Sequence, residues 1–270
     1  MITYPISKVN IGLQITGKRP DGFHNIETVF YPVQLRDALE VIEADHFEFQ
    51  MTGLIPEGDP RDNLVVRAYE LLKADYRIPP VRIHLHKKIP AGAGLGGGSS
   101  DAAGMLMVLN DLFRMEMSKE KLMHYALSLG SDCPFFLHGK PVFATGRGEL
   151  TEDIGLDLRN YYLILVKPPV SVSTAEAYRH IVPAGSRLSL KRLTGFPLHS
   201  WKGNVLNQFE PYVFNKYPEV ARVKKILYDK GASFALMSGS GSCVYGLFRS
   251  EQRDLEKSFP DHYRIYRQRL

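Results

Sequence analysis

Eleven residues near the middle of the chain, Pro90-Ala-Gly-Ala-Gly-Leu-Gly-Gly-Gly-Ser-Ser100, combine five glycines with two serines and run straight into Asp101-Ala-Ala-Gly. Glycine admits positive φ and lets a ligand approach the main chain without meeting a Cβ. Successive N–H groups at the start of a helix can then converge on an anion, where the helix dipole also favours negative charge. The chemistry this suits best is binding a nucleotide triphosphate. Pro90, Ala91, Gly92, Ala93, Gly94, Leu95, Gly96, Gly97, Gly98, Ser99 and Ser100 are therefore the candidate nucleotide-binding residues. A Walker A loop is excluded, because Gly98 is followed by Ser99-Ser100-Asp101 rather than by Lys and Ser/Thr. No acidic residue lies where a dinucleotide-binding fingerprint needs one.

Two other segments hold residues that could react. Asp132, in Gly130-Ser-Asp-Cys-Pro-Phe-Phe136, follows a helix end and precedes apolar residues, so it is either paired or functional. Lys8 shares one face of an N-terminal strand with Asn10 and Gly12, opposite Val9, Ile11 and Leu13. Taken singly, Asp132 also reads as a helix cap and Lys8 as a surface lysine. Lys87 and Lys88 read as a solvated pair.

The elements that must position these residues follow from periodicity. Val81, Ile83 and Leu85 alternate with polar residues as in a half-buried strand, and Ala102, Ala103, Leu106, Leu109 and Phe113 recur at helical spacing. Ser99, Ser100 or Asp101 can cap that helix. Strands are predicted over 28–33, 39–43, 47–52, 142–144, 161–166, 232–237 and 243–248. Helices are predicted from Asn63, over 119–129 and over 219–229, with a turn at Pro20-Asp21-Gly22. The strands outnumber a βαβ alternation, which points to an α+β fold. A boundary near 150–160 gives domains 1–155 and 156–270.

The 270 residues, 44% hydrophobic and 23% charged, suit a globular protein with a substantial core. A net charge of +5 could serve nucleic acid, but the basic residues are scattered. Their densest run, 264–269, reads as a solvated end. Cys133 and Cys243 lack metal-ligand spacing and read as small buried side chains. The chain enters a strand pattern at once and has no membrane-spanning run, so a cytoplasmic setting is expected.

Lys8-Val-Asn-Ile-Gly-Leu13, the 90–100 loop with its helix, and Ser238-Gly-Ser-Gly241 resemble, in order, the three motifs of the GHMP kinase superfamily. The segments 19–24, 62–67, 130–136 and 146–149 are most similar to the branch whose acceptor is a cytidine-diphosphate-linked methylerythritol. The resemblance implies an N-terminal domain like ribosomal protein S5 domain 2 and a ferredoxin-like C-terminal domain. It implies transfer of the ATP γ-phosphate to the 2-hydroxyl of that acceptor, with Mg²⁺ as companion ion. Asp132 would take the hydroxyl proton, and Lys8 would orient the hydroxyl and offset phosphoryl charge. Ser100 and Asp132 are the nearest oxygen donors to Mg²⁺, and no residue is assigned as its dedicated ligand. Asn63 resembles the part of the family site that meets adenine, although an asparagine opening a helix also reads as an N-cap.

On the acceptor side the resemblance implies Asn10, Phe23, His24, Thr174, Tyr178, Gly239 and Gly241. His24 would bond a cytosine edge, with Phe23 and Tyr178 as aromatic walls. Two positions depart from the family pattern: Phe23 stands where tyrosine is common, and Ala175 where proline often follows the threonine. Small-molecule partners, no nucleic acid or membrane, and a monomer or weak homodimer are expected. The rival readings are another kinase of the superfamily, of homoserine or mevalonate type, and a non-catalytic nucleotide- or RNA-binding module.

Overall fold

The computed structural model describes residues 1–181 and 189–270. In chain order its regular elements are β1 (Ile2–Thr3), β2 (Ile6–Lys18), β3 (His24–Arg36), β4 (Ala38–Glu43), β5 (Glu48–Gly53), α1 (Leu64–Asp75), β6 (Val81–Lys87), α2 (Gly97–Leu112), α3 (Lys119–Leu129), α4 (Cys133–His138), β7 (Val142–Thr145), β8 (Leu150–Asp153), β9 (Tyr162–Lys167), α5 (Thr174–Arg179), α6 (Glu210–Lys216), α7 (Pro218–Asp229), β10 (Phe234–Met237), β11 (Val244–Phe248) and β12 (Arg264–Arg269). Helices and mostly antiparallel strands make this an α+β chain.

Two compact units interleave along the sequence. One comprises Met1–Lys8, Pro32–Ala91 and Gly96–Lys140, the other Val9–Tyr31, Gly92–Leu95 and Pro141–Leu270. The early strands and the glycine loop pass from one unit to the other, so contacts and sequence order divide the chain differently.

In the first unit the sheet runs β1-β4-β6-β5. Leu39 pairs with Leu85 and Val41 with Ile83 in antiparallel register, while β5 runs parallel to β6. Period-two alternation puts Leu39, Val41, Val81, Ile83 and Leu85 on one face, all fully buried with residues of α1, α2 and α3. Each such side chain contributes about 1.5–3 kcal/mol relative to exposure. Helix α1 is capped by Asn63, whose side chain accepts the Val65 N–H at 2.9 Å.

In the second unit one sheet runs β2-β3-β7-β8 and another β10-β11-β9-β12. Leu13, Ile15 and Ile26 share a core with Ile164, Val166, Val244 and the apolar stripe Val220, Val223 and Leu227 of α7. The basic run 264–269 forms β12, which pairs antiparallel with β9, from Arg264 opposite Lys167 to Arg269 opposite Tyr162. Arg264, Arg267 and Arg269 are exposed on this strand. Among the described residues no helix is long and apolar enough to cross a membrane.

Candidate active site

Lys8 and Asp132 meet within the first unit, with Lys8 Nζ 3.4 Å from Asp132 Oδ2. The partners differ in exposure: the Lys8 side chain is 4% exposed and that of Asp132 32%. Strand β2 is buried on both faces from Ser7 to Ile15, so Lys8 is not the surface lysine that a two-faced strand allows. Burial pulls the Lys8 pKa below its ordinary value, and the charge and hydrogen bond of Asp132 oppose that fall. Asp132 stands at the N-cap position of α4, just after Gly130 ends α3, yet its side chain caps nothing. It reaches Lys8 instead.

The glycine helix begins beside this pair. Its N-cap is Gly96, at φ 72°, and no side chain caps it. Ser99, Ser100 and Asp101 do not cap α2: they lie in its opening turns, with the Ser100 N–H already donating to Gly96 O at 2.9 Å. A Cβ on Gly96 would lie 3.1 Å from Lys8 Cε and 2.8 Å from Phe136 Cζ. One on Gly97 would lie 2.8 Å from Ile89 Cγ2. Glycine thus lets the helix start approach Lys8 closely, and the N–H groups of Gly97, Gly98 and Ser99 have no carbonyl one turn earlier in the helix to donate to.

Lys87 is not solvated. It is 5% exposed, donating to Asp37 Oδ2 and, at 2.6 Å, to Asp101 Oδ2. Asp37 Oδ1 accepts the Lys88 and Ile89 amides at 2.5 and 2.8 Å. The signal was in the alternation: Val81, Ile83 and Leu85 put Lys87 on the buried face. Asp101 Oδ1, also buried, meets no hydrogen-bond partner among the described residues.

In the second unit the other part of the glycine loop meets the third glycine-rich motif. Ser238 Oγ donates to Gly94 O at 2.8 Å and accepts the Asn10 N–H at 3.1 Å. The Cys243 N–H donates to Ala93 O at 3.2 Å. Gly94, at φ 74°, has no room for a Cβ against the Ser238 carbonyl. Asn10 is buried, with Nδ2 donating to Thr28 Oγ1 at 2.9 Å and its carbonyl accepting from the Tyr245 hydroxyl at 3.0 Å. Gly239 and Gly241, at φ 54° and 91°, turn the chain between β10 and β11. Asn207 Nδ2 holds that turn through Met237 O at 2.8 Å and Gly239 O at 2.7 Å. Buried Glu210 accepts the Met237 N–H at 3.0 Å and pairs with Lys224 at 2.6 Å. Burial raises the Glu210 pKa, opposed by Lys224. Thr28, Asn207, Glu210 and Tyr245 were missed because periodicity says nothing about which polar residues bond to a distant loop.

The expected aromatic residues fall into two separate groups within the same unit. His24 stacks on Tyr178, with centroids 5.0 Å apart and 20° between planes, and Tyr178 meets Phe209 edge-on at 4.9 Å. Phe23, 51% exposed, lies under the Arg147 guanidinium at 4.0 Å. One face of Tyr178 is thus covered by His24. Thr174 Oγ1 shares a hydrogen bond with Ser240 Oγ at 2.9 Å, tying α5 to the third motif. Asn63, besides capping α1, donates through Nδ2 to Met51 Sδ at 3.3 Å. Pro90 and Ala91 lead from β6 into the loop, and Leu95 within it is buried.

Known proteins match this sequence over nearly the whole chain. Residues 63–140 match the model for the GHMP kinases N terminal domain, and 197–265 that for GHMP kinases C terminal. A 4-diphosphocytidyl-2-C-methyl-D-erythritol kinase of Parabacteroides distasonis is 48% identical over 96% of this chain and 95% of its own. One from Bacteroides thetaiotaomicron is 50% identical over 93% of each chain. A crystal structure of 4-(cytidine 5'-diphospho)-2C-methyl-D-erythritol kinase superposes with a TM-score of 0.78 at 34% identity, covering 96% of this chain and 93% of that one. With sequence, fold and motifs all in agreement, the chain belongs to the GHMP kinases, in the 4-diphosphocytidyl-2-C-methyl-D-erythritol kinase family.

Proposed function

We propose that the chain transfers the γ-phosphoryl group of ATP to the 2-hydroxyl of the methylerythritol moiety of 4-diphosphocytidyl-2-C-methyl-D-erythritol, the compound that its relatives' name gives to their kinase activity. The observation that carries the reaction type is the Lys8–Asp132 pair at 3.4 Å beside the uncapped, glycine-started helix α2. Asp132 accepts the hydroxyl proton as that oxygen attacks phosphorus, and ADP leaves. Lys8 orients the hydroxyl and Asp132 and offsets charge on the transferring group. Gly97, Gly98 and Ser99 offer amides to phosphate oxygens at the positive end of α2. Positioning and electrostatics supply most of the acceleration, since no covalent intermediate is needed.

Among the described residues there is no cluster of three or more His, Cys, Asp or Glu side chains able to hold a metal ion. An ion such as Mg²⁺ would be carried mainly by phosphates and water, with the partly exposed Asp132 carboxylate and the Ser100 hydroxyl as hard oxygen donors. When bound, Mg²⁺ neutralises phosphate charge.

For the acceptor, His24 bonds the cytosine edge and Phe23 and Tyr178 contact its ring, with Thr174, Asn10, Gly239 and Gly241 completing the subsite and Asn63 meeting adenine. The direct His24–Tyr178 stack means that a base entering between Phe23 and Tyr178 displaces the His24 ring from the tyrosine face. The working form is a monomer or weak homodimer in the cytoplasm, without nucleic-acid or membrane partners. The test is ³¹P NMR of the product from Mg-ATP and the cytidyl acceptor. A new phosphomonoester resonance alongside ADP supports the reading, and ADP with inorganic phosphate alone overturns it.

A further inference from the structure

The buried Asp37–Lys87–Asp101 triad brackets the first unit's share of the phosphate loop. Lys87 ends β6 three residues before Pro90, and Asp101 sits in the opening turns of α2, two residues beyond Ser99. Asp37 bonds to Lys87 and to the amides of Lys88 and Ile89, the two residues that lead into the loop. The side chains of Lys87, Asp37 and Asp101 are 5%, 0% and 2% exposed. An ammonium held this deeply between two carboxylates on different elements fixes their separation, because breaking either contact leaves a buried charge without its partner. Gly97 belongs to the same junction, since a Cβ there would lie 3.3 Å from Lys87 Nζ.

We propose that this triad is the positioning device of the phosphate loop: Lys87 ties the strand entering the loop to the helix leaving it, so the α2 amides are set for phosphate before ATP arrives. None of the three residues is assigned contact with ATP or acceptor. The proposal rests on the reading of this loop as the ATP site. Two carboxylates against one ammonium leave an excess negative charge, and burial beside Asp37 raises Asp101 to about 7. The tie to α2 is therefore the arm that can be cut while Lys87 and Asp37 remain as a balanced pair.

Asp101→Ala cuts that arm. The expected result is a KM for ATP raised tenfold or more, the acceptor KM within twofold of wild type, and faster hydrogen exchange in the 88–100 peptide of the free protein. Asp101→Asn keeps an oxygen for Lys87 and should stay within threefold of wild type for ATP. Unchanged ATP KM and unchanged loop exchange in Asp101→Ala would overturn the proposal. Should that variant fail to fold, Asp101→Ser, whose shorter side chain also gives up the bond to Lys87 while leaving the Lys87–Asp37 pair, provides the same two readouts. Binding of a non-hydrolysable ATP analogue by wild type, without acceptor, separates the two levels. Absence of binding removes the ATP reading, while the exchange comparison still decides whether the triad holds the loop.

Discussion

Replacing Asp132 by Asn keeps the shape of the site and removes its negative charge. At 3.4 Å, the pair attraction is about 5 kcal/mol for an effective dielectric near 20. The carboxylate keeps 32% of its surface in contact with solvent, so screening leaves only part of that attraction. Two effects follow. Lys8 loses the group that opposes its desolvation, so its pKa falls further below the ordinary lysine value. The acceptor hydroxyl loses its base, which general-base contributions put at about 10²–10⁴ in turnover. Side-chain NMR of Lys8 reads the first effect, steady-state ADP release the second, and titration with a non-hydrolysable ATP analogue is the control. The expected variant binds the analogue within about threefold of wild type, since Asp132 acts on the acceptor hydroxyl and phosphates and water carry most of the Mg²⁺ coordination. A Lys8 titration identical in both proteins, with turnover within tenfold of wild type, would refute the reasoning.

Gly96→Ala should lower Tm by several degrees and weaken ATP-analogue binding. It forces a non-glycine residue to φ 72° and sets its Cβ against Lys8 Cε and Phe136, at a cost of about 1–3 kcal/mol; unchanged melting and affinity would contradict this. His24→Ala should raise the acceptor KM about tenfold and leave ATP affinity alone, and equal losses for both ligands would remove the base-recognition role. The pH dependence of stability should differ between wild type and Asp101→Asn. With the folded pKa raised to about 7, Asp101 contributes stability that is fully present below its unfolded value and is lost as pH rises through 7. The wild-type Tm should therefore fall relative to the variant between about pH 4 and pH 7, by an amount corresponding to up to roughly 4 kcal/mol. Parallel Tm curves across that range would contradict the assignment.

The glycine loop, its flanking strand and helix, and the third motif were legible because glycine runs, period-two alternation and helical spacing are local signals. Asp132 was legible as an acid in an apolar setting, and its capping alternative fails because the carboxylate turns to Lys8. The start of α2 differs from the expectation: serine and aspartate are good caps, but Gly96 at positive φ opens the helix three residues before Ser99. Lys87 was taken as solvated although its own strand alternation placed it inward, since a buried lysine is plausible only once Asp37 and Asp101, distant in sequence, are seen beside it. Asn207 and Glu210 carried no local signal, because their roles depend on a turn 30 residues away. The stacking of His24 on Tyr178, and of Arg147 over Phe23, is likewise tertiary and could not be read from either segment alone.

The central claim is a kinase whose acceptor carries a cytidine diphosphate. The most direct measurement is kcat/KM for ADP release with Mg-ATP and, in parallel, the cytidyl-methylerythritol acceptor, mevalonate, homoserine and galactose. The account predicts turnover with the cytidyl compound and background rates with the other three. Preferred turnover of mevalonate, homoserine or galactose would leave the phosphate chemistry of Lys8, Asp132 and α2 standing and contradict the reading of Phe23, His24 and Tyr178. Background rates with all four would contradict the kinase account itself.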